Sequence, residues 1–397
     1  MNLEQRIKTL ADEYHPDVVR IRRHIHAHPE LSFQEFKTAK FIADELRAMN
    51  IEHTEGVADT GLVGIIKGKN PERRTIALRS DHDALPIVEQ NEVPYKSQNE
   101  GIMHACGHDV HTASLLGAAR ILNEVRDNFQ GTIKLIFQPG EERDPGGASL
   151  MIKAGVLDNP RPGKIYGQHV FPDLPVGKVG FRPGQYMAST DEIYVTIKGK
   201  GGHAALAYKL VDPILISSHI IIALQQIVSR NARPDIPSVL SFGKITGKGS
   251  FNIIPDTVTM EGTFRTLNEE WREKAHRLMK KVAEGVAASM SGSCDFEIRK
   301  GYPFLVNDPE VTQQAKNHAI KYLGEDNVVD LPVRMTGEDF AYYSQQVPGC
   351  FYRLGIANEN KGIDAGLHTS RFNIDEDALK IGMGLMAWIA CSELPLD

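Results

Sequence analysis

No stretch of this chain approaches the roughly 18 consecutive apolar residues of a membrane span. The polar opening MNLEQRIKTL has no apolar core of signal-peptide length. The expected location is therefore the cytoplasm. Runs of about five or six like charges are also missing. With a formal net charge of -6, the chain is a poor candidate for binding nucleic acid or an anionic membrane, both of which select a basic face. Cysteine is scarce. Cys106, Cys294, Cys350 and Cys391 are scattered, no CxxC occurs, and a disulfide framework is excluded. There is no low-complexity segment, no repeat at solenoid spacing, and no G-x-S-x-G elbow for a serine nucleophile.

What is present is an ordinary globular composition, 41% hydrophobic and 24% charged, in 397 residues. That length exceeds one typical core and calls for two domains or one carrying an insert. The first half alternates helix and strand. Phe36 to Met49 has helical spacing, with Phe36, Ala39, Ile42, Leu46 and Met49 on or near one face. Leu62 to Ile66, Thr75 to Leu78, Thr132 to Phe137 and Lys164 to Gln168 are strands, and His108 to Val125 is a helix. This order predicts an α/β fold, a mostly parallel sheet with helices on both faces. Between residues 188 and 302 the order becomes β-α-β-β-α-β, that of a ferredoxin-like α+β domain. The reading is a discontinuous catalytic domain, 1–187 and 303–397, with an inserted lid or dimerisation domain, 188–302.

Parallel sheets bind ligands at the carboxyl ends of their strands. Three of these strands run into metal-type residues: Asp81-His82-Asp83, Glu141-Glu142 and His169. The helix from His108 begins in a further cluster, His104-Ala-Cys106-Gly-His108-Asp109-Val-His111. Thiolate, imidazole and carboxylate together suit a zinc-class ion. A Cys and a His two apart at a helix start can reach one ion, and the helix dipole favours the thiolate. The plainer alternative is a buried structural Cys beside a histidine cap, but three histidines and an Asp within eight residues weigh against it. An EE pair is usually a charged loop. A hydrolytic metal site, however, needs one carboxylate on the metal and one to take a proton from water. His169 and His368 are weak signals alone. His24, His26 and His28, at a helix end stopped by Pro29, read as structural. The stretch G-K-G-G-H-A, Gly199 to Ala204, matches a dinucleotide fingerprint, but Asp212-Pro213 opens a helix too early for one.

These residues resemble a known family, the dinuclear metallopeptidases of the aminoacylase type. The branch is that of hippurate hydrolases, auxin-conjugate amidohydrolases and N-acyl-L-amino-acid amidohydrolases. The resemblance spans nearly the whole chain. It runs through H-P-E-L-S at His28, R-S-D-H-D-A-L-P at Arg79, H-A-C-G-H-D at His104 and Q-P-G-E-E at Gln138. G-K-G-G-H at Gly199, N-I-I-P-D at Asn252, G-T-F-R-T at Gly262, G-E-D-F at Gly337 and L-H at Leu367 follow. It implies two divalent ions per subunit (Zn, Mn, Co or Ni) held by Cys106, His108, Glu142, His169 and His368, with Cys106 as a candidate bridge. It further implies Glu141 as general base acting on metal-activated water, Asp83 orienting a histidine ligand, and His203 stabilising the oxyanion, often across a dimer. Asn252 and Arg265 would contact the substrate carboxylate. The implied substrate is an N-acyl-amino acid or short peptide, and the implied assembly a homodimer or higher through the inserted domain. Departures are Ala207-Tyr208 in place of a Pro-His pair, Thr369-Ser370 in place of Ser-Pro, and His82 in place of Met. The alternatives are a dipeptidase or carboxypeptidase on the same scaffold, or a metal-binding relative without catalysis. The latter would be expected to have lost Glu141 or a ligand.

Overall fold

The computed structural model describes residues 1–396. The chain forms two compact units. One comprises Met1–Gly184, Val306–Pro332 and Asp339–Asp397, the other Gln185–Leu305 and Val333–Glu338. The second unit thus also takes a short return segment, 333–338, which no shift in composition marks.

The first unit is built on an eight-stranded sheet. Strands β1 (Glu52–Val57) and β2 (Gly61–Lys67) form an antiparallel edge beside β4 (Thr132–Gln138). β4, β3 (Thr75–Asp81), β5 (Lys164–Pro175) and the strand Gly349–Ala357 then run parallel in that spatial order. β6 (Val179–Phe181) joins antiparallel to Gly349–Ala357, and Val328–Asp330 closes the sheet parallel to β6. All of β4 is buried and only the first residue of β3 is less than buried. That explains why they read as continuous apolar runs rather than alternating ones.

Helix α1 (Leu3–Ala27) starts at Asn2, whose side chain accepts the Gln5 N–H. Its buried Ile7, Leu10, Ala11, Tyr14, Val18, Ile21 and Ile25 follow three- and four-residue spacing. Helix α3 (His108–Glu124) packs on α1, on β3 and β5, and on the C-terminal helix Asp377–Glu393. In α2 (Phe36–Ala48), Ile42, Ala43 and Leu46 face inward. Phe36, expected on or near that face, is 63% exposed because it stands at the first helical position, before the periodic stripe begins.

α1 also carries a buried charge network. Arg22, without exposed area, donates to Asp109 Oδ2 at 2.7 Å, and His26 lies between Asp109 (2.8 Å) and Glu89 (3.2 Å). The His26 ring is thus occupied in holding α1 to α3.

The second unit has a four-stranded antiparallel sheet. Its spatial order is Ser238–Gly247, Thr257–Thr266, Asp191–Lys198, Ser293–Lys300. The helices Pro213–Gln226 and Glu269–Ser289 supply the β-α-β-β-α-β order. Asp212 caps the first helix through the Ile214 and Leu215 N–H groups, and Asn268 caps the second through Trp271. Ile216, Ile220, Leu224 and Ile227 enter the core with Val195, Val258 and Phe264. Pro213–Asn231, 19 residues long, contains an 18-residue window of mean hydropathy 1.2, a third of which is buried. By length and composition alone it reaches the threshold of a span, where the sequence led us to expect no such stretch. Its polar Ser217, His219 and Gln225 break the apolar run without lowering the average enough.

Candidate metal centre

In the first unit, adjoining parallel strands deliver side chains to one place. β3 ends on Asp81 and passes to Asp83, and β4 ends on Gln138 just before Glu141 and Glu142. β5 carries His169. The sequence suggested that the strand stops at Gln168, but it continues to Pro175, so His169 sits within it. Cys106 and His108 flank Gly107, the N-cap of α3, whose φ is +81°. A Cβ at Gly107 would lie 2.5 Å from Val170, so only glycine lets the chain turn there from Cys106 into the helix.

The ligand-type atoms form overlapping groups. Cys106 belongs to one with His108 and His169 and to another with Glu142 and His368. Cys106 Sγ is 3.5 Å from His169 Nε2 and 3.3 Å from His368 Nε2. His368 Nε2 is 3.2 Å from Glu142 Oε1. His368 has φ +60°, a costly conformation for a non-glycine residue, and its N–H donates to Ala105 O. Asp83 Oδ1 lies 3.0 Å from His108 Nδ1. Asp83 Oδ2 accepts from Ser32 Oγ (2.7 Å) and from the Glu142 N–H (3.0 Å). Burial alone would raise Asp83, but the hydrogen bonds from His108 and Ser32 bring it to about 2.

These residues fit a divalent cation. His108 Nε2 is buried and makes no hydrogen bond among the described residues. Oxygens of Asp81, Glu141 and Glu142 each stand 3.9 Å from it, too far to accept a proton. An orphaned imidazole nitrogen facing thiol and carboxylates is a ligand set of mixed softness. His111, which also groups with Asp81 and His108, is otherwise engaged. Its Nδ1–H meets Asp81 Oδ1 at 2.5 Å and its Nε2 accepts the Val170 N–H at 2.9 Å.

Without a cation, the surroundings of Cys106 oppose its ionisation. The helix start and nearby histidines suggested a thiolate. In the folded chain, burial together with Glu142 and Glu141 pushes the thiol well above its ordinary range. Burial would lower His108, yet Asp81 and Asp83 carry it up to about 10. A cation must therefore displace protons from both Cys106 Sγ and His108 Nε2. Metal loading near neutral pH is expected to release about two protons per subunit and to weaken as pH falls. Calorimetry in buffers of different ionisation enthalpy measures this, and no net release would contradict it.

A second set of buried groups supports the glutamates. Arg79 donates from Nε to Gln138 Oε1 (2.9 Å), from Nη1 to Asp81 Oδ2 (2.6 Å) and from Nη2 to Asp339 Oδ1 (2.8 Å). Asp339 also accepts from Gln138 Nε2 and from the Ala148 N–H, and its own N–H points to Glu141 Oε1 at 3.3 Å. Sequence reading assigned no role to Arg79, Gln138 or Asp339. The available signal was charge in strand-like or loop positions, at R-S-D and G-E-D, with no way to see that these segments meet.

His82 and His104 are buried, and among the described residues none of their ring nitrogens makes a hydrogen bond of normal geometry. Burial brings His82 down to about 4 and His104 to about 3, from 6.5. Between those values and 6.5 the unfolded chain binds more protons, so stability rises with pH across that window and is lost on acidification. His82→Met, an apolar exchange of similar size, is expected to stabilise by about 1–3 kcal/mol and to flatten that slope. Denaturant midpoints from pH 7 to 4 check both effects. An unchanged or lower midpoint would contradict the reading.

Of the remaining candidates, His203, Asn252 and Arg265 lie in the second unit. His203 and Asn252 are neighbours, since Gly202–His203 pairs with Ile253–Ile254 and the Ala204 N–H donates to Asn252 O. His203 Nδ1 accepts the Ala205 N–H at 3.2 Å, which leaves Nε2 to carry the proton. Arg265 is half-buried on Thr257–Thr266, and burial lowers its pKa.

The decisive comparison is with protein families. The model of the peptidase family M20/M25/M40 matches residues 77–391. The chain belongs to this family. Among relatives, it is 42% identical to the N-acetyl-L-cysteine deacetylase of Bacillus subtilis, covering 94% of this chain and 89% of the relative. It is 40% identical to thermostable carboxypeptidase 2 of Saccharolobus solfataricus, covering 96% of each. Its fold matches the YXEP protein of Bacillus subtilis, a dinuclear metal-binding peptidase of the M20 family. The TM-score is 0.82 and the identity 37%, over 96% of this chain and 99% of that one. The M20 chain is a metal-dependent amidohydrolase or peptidase, and its first unit holds the residues able to bind the metal.

Proposed function

We propose that the chain hydrolyses the amide bond of N-acyl-L-amino acids and releases the free amino acid. Two divalent ions per subunit, of zinc, manganese, cobalt or nickel, would be held by Cys106, His108, Glu142, His169 and His368. Bound there, they would polarise the acyl carbonyl and acidify water. The observation that carries the reading is the division between the two neighbouring glutamates. Both group with His108, but only Glu142 also groups with Cys106 and His368, whereas Glu141 meets the Asp339 N–H through Oε1. Glu141 then serves as general base. It takes a proton from the attacking water as the carbon–oxygen bond forms, and returns it to the amide nitrogen as the carbon–nitrogen bond breaks. Asp83 holds His108 by its Nδ1. His203, protonated at Nε2, donates to the tetrahedral oxyanion.

Arg265 is assigned to the substrate carboxylate. Among the described residues its half-buried guanidinium takes no side-chain hydrogen-bond partner, unlike Arg272, which binds Asp191. A planar fork left open is suited to a carboxylate. Asn252, whose Oδ1 accepts from Ser250, would add its amide N–H. A panel of acetyl, benzoyl, indole-acetyl and aminoacyl conjugates, each as acid and C-terminal amide, tests the assignment. The acids should be preferred, and Arg265→Ala should cost about 2–5 kcal/mol in kcat/KM and erase the preference. Equal hydrolysis of acid and amide by the wild type would defeat it. The aminoacyl members test a second reading, dipeptidase or carboxypeptidase action, which the similarity to a carboxypeptidase favours.

The second unit is proposed to be the dimerisation domain. Ser238–Gly247 is an edge strand with Val239 and Ile245 exposed, and Leu215 and Ile222 are exposed on the helix Pro213–Gln226. An uncovered apolar edge needs pairing. Light scattering should show a dimer, and a fully active monomer would contradict this.

A further inference from the structure

We propose that Glu35 is a positioning residue for Glu141, acting through the Gly140 N–H; the inference rests on the reading of Glu141 as general base. Glu35 has no exposed area. Its Oε1 accepts the Gly140 N–H at 2.8 Å, and its Oε2 accepts the Thr60 hydroxyl at 2.8 Å. Neither partner is a cation, so this buried carboxylate serves as a fixed acceptor and not as half of an ion pair.

What it holds is the turn that aims the two glutamates. That turn is gripped at successive points. Gly140 N–H goes to Glu35, Gly140 O takes the Gly147 N–H at 2.9 Å, and the Glu142 N–H goes to Asp83. Gly140 has φ +58°, and a Cβ there would lie 2.2 Å from the Phe33 ring. Phe33 itself has φ +65°. The segment from Ser32 to Glu35 is thus a cradle beneath the turn. Ser32 reaches Asp83, Phe33 fills the space a side chain at Gly140 would need, and Glu35 takes the amide just before Glu141. A strained loop is maintained only where its surroundings over-determine it. Freeing the Gly140 amide should let Glu141 swing while the ligands, anchored on β5, α3 and Asp83, stay in place.

The role demands an acceptor of the right reach and makes no demand on charge. Glu35→Gln keeps an acceptor oxygen for Gly140, and its amide can donate to Thr60 Oγ. Glu35→Asp keeps the charge but is one methylene short, and Glu35→Ala removes the acceptor. With the metal-loaded full-length enzyme, assayed well below its melting temperature, Glu35→Ala and Glu35→Asp should lose about 10–100-fold in kcat, the scale of a small misplacement of a reacting group. KM should stay within about twofold and metal content should match the wild type. Glu35→Gln should stay within about threefold in kcat. A merely structural role would lower the melting temperature without this division between kcat and KM and without rescue by Gln. If Glu35→Ala does not fold, Glu35→Asp and Glu35→Gln decide between them. Wild-type kcat in folded Glu35→Asp, or equal loss in Gln and Asp, overturns the proposal. Glu141→Gln, assayed alongside, keeps the two readings apart. If it is active, the base assignment fails; if it is inactive while Glu35→Ala and Glu35→Asp turn over normally, only the Glu35 inference fails.

Discussion

Glu141→Gln is expected to lower kcat by about 10²–10⁴-fold, the contribution of a general base, while the protein keeps its full metal content. Glu142→Gln should do the reverse and weaken metal binding. The reason lies in where each carboxylate points. Glu142 Oε1 lies 3.2 Å from His368 Nε2 and in one group with Cys106, so its loss removes an anionic donor from the ligand cluster. Glu141 is held from Asp339, and its neutral amide analogue can keep that hydrogen bond but cannot accept a proton. Steady-state kinetics with metal analysis on both variants checks the division. Equal metal loss in the two would show that both glutamates are ligands.

Arg79→Ala should destabilise the first unit by about 3–5 kcal/mol, the cost of leaving buried partners uncompensated. Arg79 is 1% exposed and bridges Asp81 and Asp339, both without exposed area, as well as Gln138. Burial would raise Asp81, yet Arg79, before His108 and His111, brings it well below its ordinary range. Removing the guanidinium strands two carboxylates in a dry interior. Activity should fall with stability, because Asp81 fixes His111 and Asp339 supports Glu141. Arg79→Lys should recover only part of the loss, since one ammonium cannot span three acceptors in a plane. Denaturant midpoints for both variants measure this. A midpoint for Arg79→Ala within about 1 kcal/mol of wild type would mean the network is not what holds the strands' ends together.

Much of the fold and many of the candidate metal-site residues were legible from local pattern. Fully buried strands leave continuous apolar runs, and β3 and β4 were read from them. A helix that starts on a cap and repeats every three to four residues announces itself, as Asp212 and Asn268 do. Metal-type residues stand where such strands stop, as Asp83, Glu141 and Glu142 do, or where a helix starts, as Cys106 and His108 do, so they could be named as candidates before their distances were known. These signals survive in one dimension because each depends on neighbours within a few residues.

Other features depend on contacts between segments far apart in the chain, and no local pattern encodes those. Arg79 and Asp339 are 260 positions apart, and Glu35 and Gly140 are 105 apart. Arg79, Asp339 and Glu35 look like ordinary charged residues until folding buries them against their partners. The state of Cys106 is of the same kind. Its helix start and histidines, visible in sequence, favour the thiolate, while burial and the two carboxylates that follow β4 oppose it in the absence of a cation. The identity of the chemical groups was thus determined by the sequence alone. Which of them ionise, which hold a ligand and which merely hold another residue was decided by the tertiary structure, because desolvation and charge pairing exist only once the chain has closed around them.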